Sequence, residues 1–170
     1  MQTVKVIVQP YDKKWKADFE AIKAEIEEVI GDLIVGIEHV GSTAVEGMSA
    51  KPIIDIDVII KDYFVFEKVV CKLSSAGYIH EGDLGISGRE AFKYSNKPHL
   101  MAHHLYVCPQ DSAELSRHIK FRDYLRSNPE AVKKYSSVKY RAAKLYPYDI
   151  GKYIECKTPC IEEMYKLCGI

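Results

Sequence analysis

Two aspartates that alternate within an apolar run are the residues of this sequence best suited to chemistry. Asp55 and Asp57 lie in the run PIIDIDVII, residues 52–60. Its β-branched residues after Pro52 predict a strand, on which residues two apart point to the same face. Twice the strand rise places their Cα atoms about 6.6 Å apart, so both carboxylates can converge on one cation or on two neighbouring ones. Without a cation, two like charges in a dry site would be costly.

Two carboxylates at this spacing predict a site for Mg²⁺, or for Mn²⁺ in its place. Mg²⁺ prefers hard oxygen ligands and usually takes one or two carboxylates together with water and substrate phosphates. Ile54, Ile56 and Val58 are apolar and predict that the opposite face of the strand packs in the core. The alternative is that the acids face solvent or pair with Lys51 or Arg89.

A glycine-serine turn precedes the acid strand, in the run HVGST at residues 39–43. Gly41 permits a close approach of the backbone, while the N–H groups and hydroxyls of Ser42 and Thr43 can hold phosphate oxygens at the start of a short helix. The alternative for these hydroxyls is ordinary helix capping. His39, on the strand that enters the turn, either orients the turn, touches substrate or is a buried histidine with its hydrogen bonds satisfied.

Further basic residues are candidates for binding an anion. Lys51, just before the acid strand, either binds a phosphate or neutralises the acids. Arg89 follows a glycine-rich loop and can hold a phosphate or carboxylate with both arms of its guanidinium; the alternative is a solvated loop arginine. The run RHIKFRDYLR, residues 117–126, predicts a helix whose basic face is mainly solvated, with a substrate-facing role considered for Lys120 or Arg122.

The pattern around these residues predicts an α/β (α+β) fold, a mixed sheet flanked by helices. Apolar residues at helical spacing predict helices over 11–31 and 62–77. Strands are predicted at 33–40, 52–60, 78–82, 90–96 and 102–109. From residue 111 the chain turns helical, and Pro159 predicts a kink in the last helix. With neither linker nor repeat, residues 1–170 are expected to form one domain, with a sheet-containing core (1–110) and a helical C-terminal part (111–170).

Composition excludes several classes of protein. The chain of 170 residues carries 24 basic and 24 acidic side chains and has a formal net charge of zero, so a nucleic-acid partner is not expected. No apolar run approaches the ~20 residues of a membrane helix, and the N-terminal segment lacks the features of a signal peptide. Five cysteines, an odd number, suit a reducing cytoplasm better than a disulfide framework.

The wider stretch IEHVGSTAVEGMSAKPIIDIDV, residues 37–58, resembles the signature of the GrpB family of nucleotidyltransferase-like proteins. The resemblance extends through VQPYDKKW, HHLYVC and RHIKFRDYLRSNPEAVKKYSSVK, and therefore over nearly the whole chain. It implies the fold of the superfamily that includes DNA polymerase beta, in which such a turn and strand bind a nucleoside triphosphate and its metals. By that resemblance Gly41 and Ser42 match the phosphate-holding turn, and Asp55 and Asp57 match the metal ligands.

The sequence departs from the superfamily pattern at a third carboxylate, which the resemblance places on a later strand. The candidate strand AHHLYVC holds no acid. His103 and His104 on it are expected to face opposite ways, and His104 is the preferred substitute, as a ligand or general base. Glu90 on the neighbouring strand is a further candidate.

Two functions from different classes remain open. One is Mg²⁺-dependent transfer of a nucleotidyl group from a nucleoside triphosphate to an acceptor. The other is binding of a nucleotide or a phosphorylated metabolite, such as a coenzyme A precursor, without transfer. The missing acid favours binding, and the retained aspartate pair favours metal chemistry. A purely structural role does not explain a like-charge pair on a core strand.

Overall fold

The computed structural model describes residues 4–170; the first three residues of the predicted domain lie outside this range. Within these residues, two α-helices and five strands occupy the first two thirds of the chain, and three further α-helices follow. The helices are α1 (Lys14–Ile30), α2 (Phe66–Ser75), α3 (Ala113–Arg126), α4 (Pro129–Leu145) and α5 (Ile150–Leu167). The strands are β1 (Gly36–Val40), β2 (Ile54–Ile60), β3 (Ile79–Gly82), β4 (Glu90–Lys93) and β5 (His103–Pro109).

The strands form one mixed sheet in the order β1-β2-β5-β4-β3. The central pair, β2 and β5, is parallel, whereas β1 with β2, β5 with β4 and β4 with β3 are antiparallel. The predicted mixed α/β sheet is therefore confirmed, and the acid strand β2 occupies an interior position next to β5.

One face of the sheet packs against α1 and α2. The largest cluster of buried apolar residues joins Trp15, Phe19 and Ile22 of α1 to the β2 residues Ile54 and Ile56. The apolar face predicted for β2 is thus confirmed, since it supplies the centre of this core. Burying such side chains contributes roughly 1.5–3 kcal/mol each.

The opposite face carries the acids and is covered by α3 from the helical C-terminal part. A second apolar cluster packs Val45 and Met48, which follow the glycine-serine turn, against Leu125 of α3, Tyr135 of α4 and Met164 of α5. The segment that contains the turn is therefore packed between the sheet and the C-terminal helices.

Several local predictions differ from the structure. The segment after Gly41 forms a single 3₁₀ turn, Ser42–Ala44, whose first residues make no side-chain cap. The helix predicted over 11–31 runs from Lys14 to Ile30, and Gly31 after it keeps a right-handed backbone and opens a 3₁₀ turn. The last helix runs without interruption through Pro159. Among the described residues, none of the helices is long and apolar enough to cross a membrane.

Candidate functional site

The strand register brings the two acids and His104 together on the α3 face of the sheet. Asp55 lies opposite His104 and Asp57 opposite Tyr106 in the parallel pair. On the other side, Glu38 of β1 lies opposite Asp57. Because directly paired residues share a face, these side chains form one polar patch. The prediction that Asp55 and Asp57 point the same way is confirmed.

The Gly41 turn is pressed directly against the first acid. A Cβ atom added to Gly41 would lie 2.3 Å from Oδ2 of Asp55. Gly41 also has φ of +73° and ψ of −173°, a combination that is essentially restricted to glycine. Only glycine therefore lets the turn sit against the carboxylate, as the close approach predicted from the sequence requires.

Asp57 is the more deeply buried of the two acids. Its Oδ2 lies 2.6 Å from Nδ1 of His118, while its Oδ1 is buried and has no hydrogen-bond partner. Burial raises the pKa of Asp57, although the bond with His118 and its charge partly offset that rise. Burial alone would lower the pKa of His118, but the bond to Asp57 and the charge of Asp57 outweigh it and raise that pKa.

The histidines beside the acids, His104 and His118, differ in how many of their ring nitrogens have a hydrogen-bond partner. Nδ1 of His104 lies 2.9 Å from Oδ1 of Asp55, and about half of the His104 side chain is exposed. His118 pairs with Asp57 through Nδ1 and with Glu114 through Nε2, at 3.3 Å. His104 therefore keeps one ring nitrogen for a ligand or a proton, whereas both nitrogens of His118 are engaged.

A cleft of about 260 Å³, here called the lysine cleft, opens beside Asp55 and the Gly41 turn. Its walls come from β2, β5 and all three C-terminal helices. Its principal polar and aromatic lining residues are Ser42, Thr43, Lys51, Asp55, His104, His118, Tyr135, Lys139, Tyr153 and Lys157. Three lysines in one cleft with a single facing carboxylate form a site suited to a multiply charged anion.

The three lysines are held at different depths. Lys139 is buried, donates to Oγ of Ser42 and to the carbonyl of Ser49 at 3.1 Å, and lies over the Tyr135 ring. Burial holds the pKa of Lys139 well below its ordinary value. Burial, assisted by the neighbouring charge of Lys51, lowers the pKa of Lys157 to about 8. Lys139 is buried and Lys157 half-buried, and neither forms an ion pair with a carboxylate in the part of the chain that the structure describes; such amines are suited to binding an anion that enters the cleft.

Two arginines of helix α3 bind backbone carbonyls on either side of the Gly41 turn. Arg126 donates from Nε and Nη2 to the carbonyl of Ala44, at 2.9 and 2.8 Å. Arg122 donates from Nη1 to the carbonyl of His39 at 3.0 Å and also pairs with Glu38. These contacts brace the turn, and Arg122 also lines the lysine cleft, so the substrate-facing role considered for it from the sequence stays a prediction.

Three residues considered as site residues face away from the acids. His39 stacks on Phe19 of α1 and bonds Thr43 at 2.9 Å, and burial lowers its pKa to about 4. It orients the turn and does not line the cleft, because it alternates with Glu38 and Val40 along β1. Glu90 pairs with His80 on the other face, so it cannot supply the third carboxylate. His103 is buried against Tyr78, opposite in direction to His104 as predicted.

The donor set fits a cation of the magnesium type. Within residues 4–170 no group of three or more His, Cys, Asp and Glu side chains is arranged to enclose a metal. Asp55 and Asp57 nevertheless offer two carboxylates on one face, and the buried Oδ1 of Asp57 lacks any partner. Mg²⁺ commonly takes only one or two protein carboxylates and completes its shell with water and phosphate, so the residues present fit it.

Sequence reasoning did not identify His118, Lys139 and Lys157 as site residues. His118 was assigned to a solvated helix face, Lys139 ended a stretch that resembles the family but was given no role, and Lys157 lay in no motif. The one signal that could have found them is a lysine or histidine at an apolar helix position. Lys139, for example, continues the buried series Val132, Tyr135 and Ala142 of α4.

The fold places the chain in a recognised class. It superposes on the Cid1 poly(U) polymerase, in a structure with MgGTP bound, with a TM-score of 0.54 over 81% of this chain and 44% of that one. At 13% identity this likeness shows the fold alone. The chain therefore has a nucleotidyltransferase-like fold.

The family follows from closer comparisons. The family described as GrpB protein matches residues 5–167. The chain is 36% identical over 162 residues to the glutamate-rich protein GrpB of Alkalihalophilus pseudofirmus, covering 94% of this chain and 93% of that protein. It superposes on the conserved protein GrpB from Enterococcus faecalis with a TM-score of 0.84 and 31% identity, over 95% and 96% of the two chains. The chain belongs to the GrpB family, as its sequence signature predicted.

Other relatives are considerably longer. The UPF0157 protein YqkA of Bacillus subtilis is 35% identical over 159 residues, which are 93% of this chain and 46% of that protein. A dephospho-CoA kinase of Mycobacterium leprae is 25% identical over 181 aligned residues, 91% of this chain and 44% of the kinase. The chain thus spans about half the length of these two relatives.

Proposed function

We propose that this protein transfers a nucleotidyl group from a Mg²⁺-bound nucleoside triphosphate to an acceptor. The observation that carries the proposal is the meeting of three features at Asp55: the acid pair, the Gly41 turn pressed against it, and the lysine cleft that opens beside it. Carboxylates alone would suit a bare cation, and lysines alone would suit a free anion. Their combination suits a metal-bound polyphosphate.

Each part of the site has a distinct task in this reaction. The Gly41 turn and Ser42 receive phosphate oxygens, and Lys139, Lys157 and Lys51 neutralise the charge of the leaving pyrophosphate. Asp55 and Asp57 hold Mg²⁺, which stabilises charge on the attacking and leaving oxygens. Tyr135 and Tyr153 lie under Lys139 and Lys157 at 4.2 and 4.5 Å, respectively, and keep the ammonium groups in place through cation–π contacts.

His104 receives the proton of the acceptor hydroxyl. It stands beside Asp55 on β5, where the superfamily pattern has a carboxylate, and it retains one free ring nitrogen at the surface of the cleft. The bond to Asp55 orients the ring. His118, although closer to Asp57, has both nitrogens bonded and instead positions that acid.

Nucleotide binding provides the first test. Thermal unfolding is measured with ATP, GTP, CTP, UTP, dephospho-coenzyme A and coenzyme A, each with and without Mg²⁺. A ligand that binds the native state at 100 times its Kd stabilises the protein by about 2.7 kcal/mol. We expect a triphosphate to raise the melting temperature with Mg²⁺ and to do so much less without it. No shift with any triphosphate would contradict the proposal.

Binding without transfer is the second candidate function. It is favoured by the residue opposite Asp57, which is Tyr106 and not an acid, so that β5 offers no third carboxylate on this face. The sequence similarity to dephospho-CoA kinases makes coenzyme A precursors the relevant ligands for this alternative. Under the transfer proposal, pyrophosphate release requires His104 and is lost in His104→Ala while triphosphate binding persists. Tight Mg²⁺-independent binding of a coenzyme A precursor, with no pyrophosphate released, would favour the alternative.

Nucleotide affinity is expected to fall as the pH rises through about 8. The lowered pKa of Lys157 means that this amine is charged below pH 8 and neutral above it, whereas a bound phosphate favours the charged form. Binding above that pH must therefore take up a proton, which weakens affinity by up to about tenfold per pH unit. Isothermal titration of Mg²⁺-triphosphate between pH 7 and 9.5, in buffers of different ionisation enthalpy, measures both the affinity and the proton uptake.

Lys157→Arg is the matched control for this dependence. Arginine remains charged throughout the range, so the variant should show a flatter profile above pH 8 and take up fewer protons. An identical profile in Lys157→Arg would show that Lys157 does not control the pH dependence.

A further inference from the structure

A second pocket borders the acid site and shares part of its lining with the lysine cleft. It has a volume of about 230 Å³ and is lined by Val40, Gly41, Asp55, Arg89, Tyr106 and His118. Gly41, Asp55 and His118 line both this pocket and the lysine cleft. Asp55 and Gly41 therefore form part of a wall shared by two compartments, one lined by three lysines and the other by Arg89. We call the second compartment the arginine pocket.

Arg89 is the one arginine or lysine that lines the arginine pocket, and although Asp55 lines the same pocket, no carboxylate among the described residues pairs with Arg89 directly. None of the ion pairs formed within residues 4–170 includes it. Its Nε is buried without a hydrogen-bond partner, and its guanidinium carbon lies 4.3 Å from the centre of the Tyr106 ring. A buried donor left unpaired costs about 1–3 kcal/mol, so an unpaired arginine at this depth indicates a missing anion.

The backbone around Arg89 is built to hold it there. Gly88 has φ of +77°, and its carbonyl accepts a hydrogen bond from Oγ of Ser112 at 2.8 Å. The same Oγ accepts from the N–H of Leu115 and caps α3. Arg89 is thus tied to the start of the helix that carries His118, which fixes its place relative to the acids.

We propose that the arginine pocket binds the acceptor, and that the acceptor is a small molecule with a phosphate or carboxylate besides its reacting hydroxyl. This rests on the proposed nucleotidyl transfer. In an in-line displacement the attacking and leaving oxygens lie on opposite sides of phosphorus. With pyrophosphate leaving on the side of the lysine cleft, the acceptor enters from the side of the arginine pocket. A guanidinium there pairs with a carboxylate or phosphate through two parallel hydrogen bonds.

The reaction balances with these two partners alone. The acceptor oxygen forms a bond to the α-phosphorus, and the bond from that phosphorus to the bridging oxygen of the β-phosphate breaks. The bridging electron pair leaves with pyrophosphate. The acceptor hydroxyl proton passes to Asp55, the carboxylate that lines both compartments, and from Asp55 to the ring of His104 that is hydrogen-bonded to it.

A small acceptor suits the pocket better than a polynucleotide end. A polynucleotide would require a basic path leading away from the site, whereas the arginine pocket holds a single arginine, and its other lining residues include Val40, Tyr106 and His118. The formal net charge of zero also offers no general attraction for a polyanion.

The test saturates the protein with Mg²⁺ and a non-hydrolysable triphosphate analogue, so that the lysine cleft is filled, and then titrates small probes. The probes are glycerol 3-phosphate, glycerate, neutral glycerol and a short oligonucleotide with a free 3′ hydroxyl. Amide NMR shifts at Gly88, Arg89 and Tyr106 localise the binding. Arg89→Gln removes the charge, and Arg141→Gln, at an exposed position of α4, is the matched control.

We expect saturable shifts at these residues with the two anionic probes and none with glycerol. Arg89→Gln should weaken the anionic probes about tenfold or more, the loss of one charge-assisted pair, while analogue affinity stays within about twofold. Arg141→Gln should change neither. Equal probe binding in Arg89→Gln, or binding of the oligonucleotide but of neither small anion, would overturn the proposal. Failure of the parent protein to bind the Mg²⁺ analogue would instead contradict the proposed function itself.

Discussion

Replacing Asp57 with asparagine should abolish the Mg²⁺-dependent part of nucleotide binding while leaving the fold intact. Asparagine keeps the shape of the side chain but lacks the charge that holds a hard cation. We expect the fold to tolerate it because burial raises the pKa of Asp57 and so favours its neutral form, and because the asparagine side-chain oxygen can still accept a hydrogen bond from Nδ1 of His118. In the metal-free protein the free energy of unfolding should therefore be unchanged or higher in the variant.

The measurement compares the triphosphate Kd with and without Mg²⁺ in the parent, Asp57→Asn and Asp111→Asn. Asp111 is an exposed aspartate in the turn before α3 and serves as the control. In the parent and the control, Mg²⁺ should tighten binding by tenfold or more, about 1.4 kcal/mol; in Asp57→Asn this gain should vanish. The same gain in all three proteins would remove Asp57 from metal binding.

Replacing Gly41 with alanine should abolish triphosphate binding and also lower stability. The new Cβ would lie 2.3 Å from Oδ2 of Asp55, so either the turn or the acid must move. The backbone conformation of Gly41 adds about 1–3 kcal/mol of strain for any residue with a Cβ. Both effects act on the point where the turn, the acids and the lysine cleft meet. Chemical denaturation gives the change in the free energy of unfolding, and calorimetric titration gives the affinity.

Gly47→Ala is the control that separates the effect of backbone strain from the effect of the close contact with Asp55. Gly47 also has a positive φ, of 82°, but nothing lies within 4 Å of a Cβ added there. It should lose stability through backbone strain alone and keep most of its affinity for the triphosphate. If Gly41→Ala and Gly47→Ala lowered the affinity equally, the close contact between the turn and Asp55 would not matter for binding.

The glycine-serine turn and the acid strand were readable from sequence because their signals are local. Strand periodicity alone requires Asp55 and Asp57 to share a face, and the β2 register confirms that they do. The same periodicity requires His103 and His104 to point opposite ways, as observed. His39 was less certain from sequence, because its face depends on where β1 joins the sheet. Pairing of His39 with Ile56 turns it toward α1.

The geometry of the Gly41 turn depends on contacts with residues that are distant in the sequence. Glycine followed by two hydroxyl residues predicted the start of a short helix, with capping as the alternative use of the hydroxyls, and the structure contains one 3₁₀ turn without a side-chain cap. Arg122 and Arg126 of α3 instead bind the carbonyls on either side of the turn. These contacts join residues more than eighty positions apart, and no sequence spacing reports them.

By itself, the sequence determined the mixed fold, the family and the pair of acids beside a glycine turn, because periodicity and short-range steric rules act within a few residues. Only the tertiary structure decided what surrounds the acids. His118, Lys139 and Lys157 lie on three separate helices, and each reaches the site through packing of the C-terminal part against the sheet. Their altered pKa values arise from burial and from neighbouring charges, which depend on the distances that folding sets and not on the order of residues in the chain.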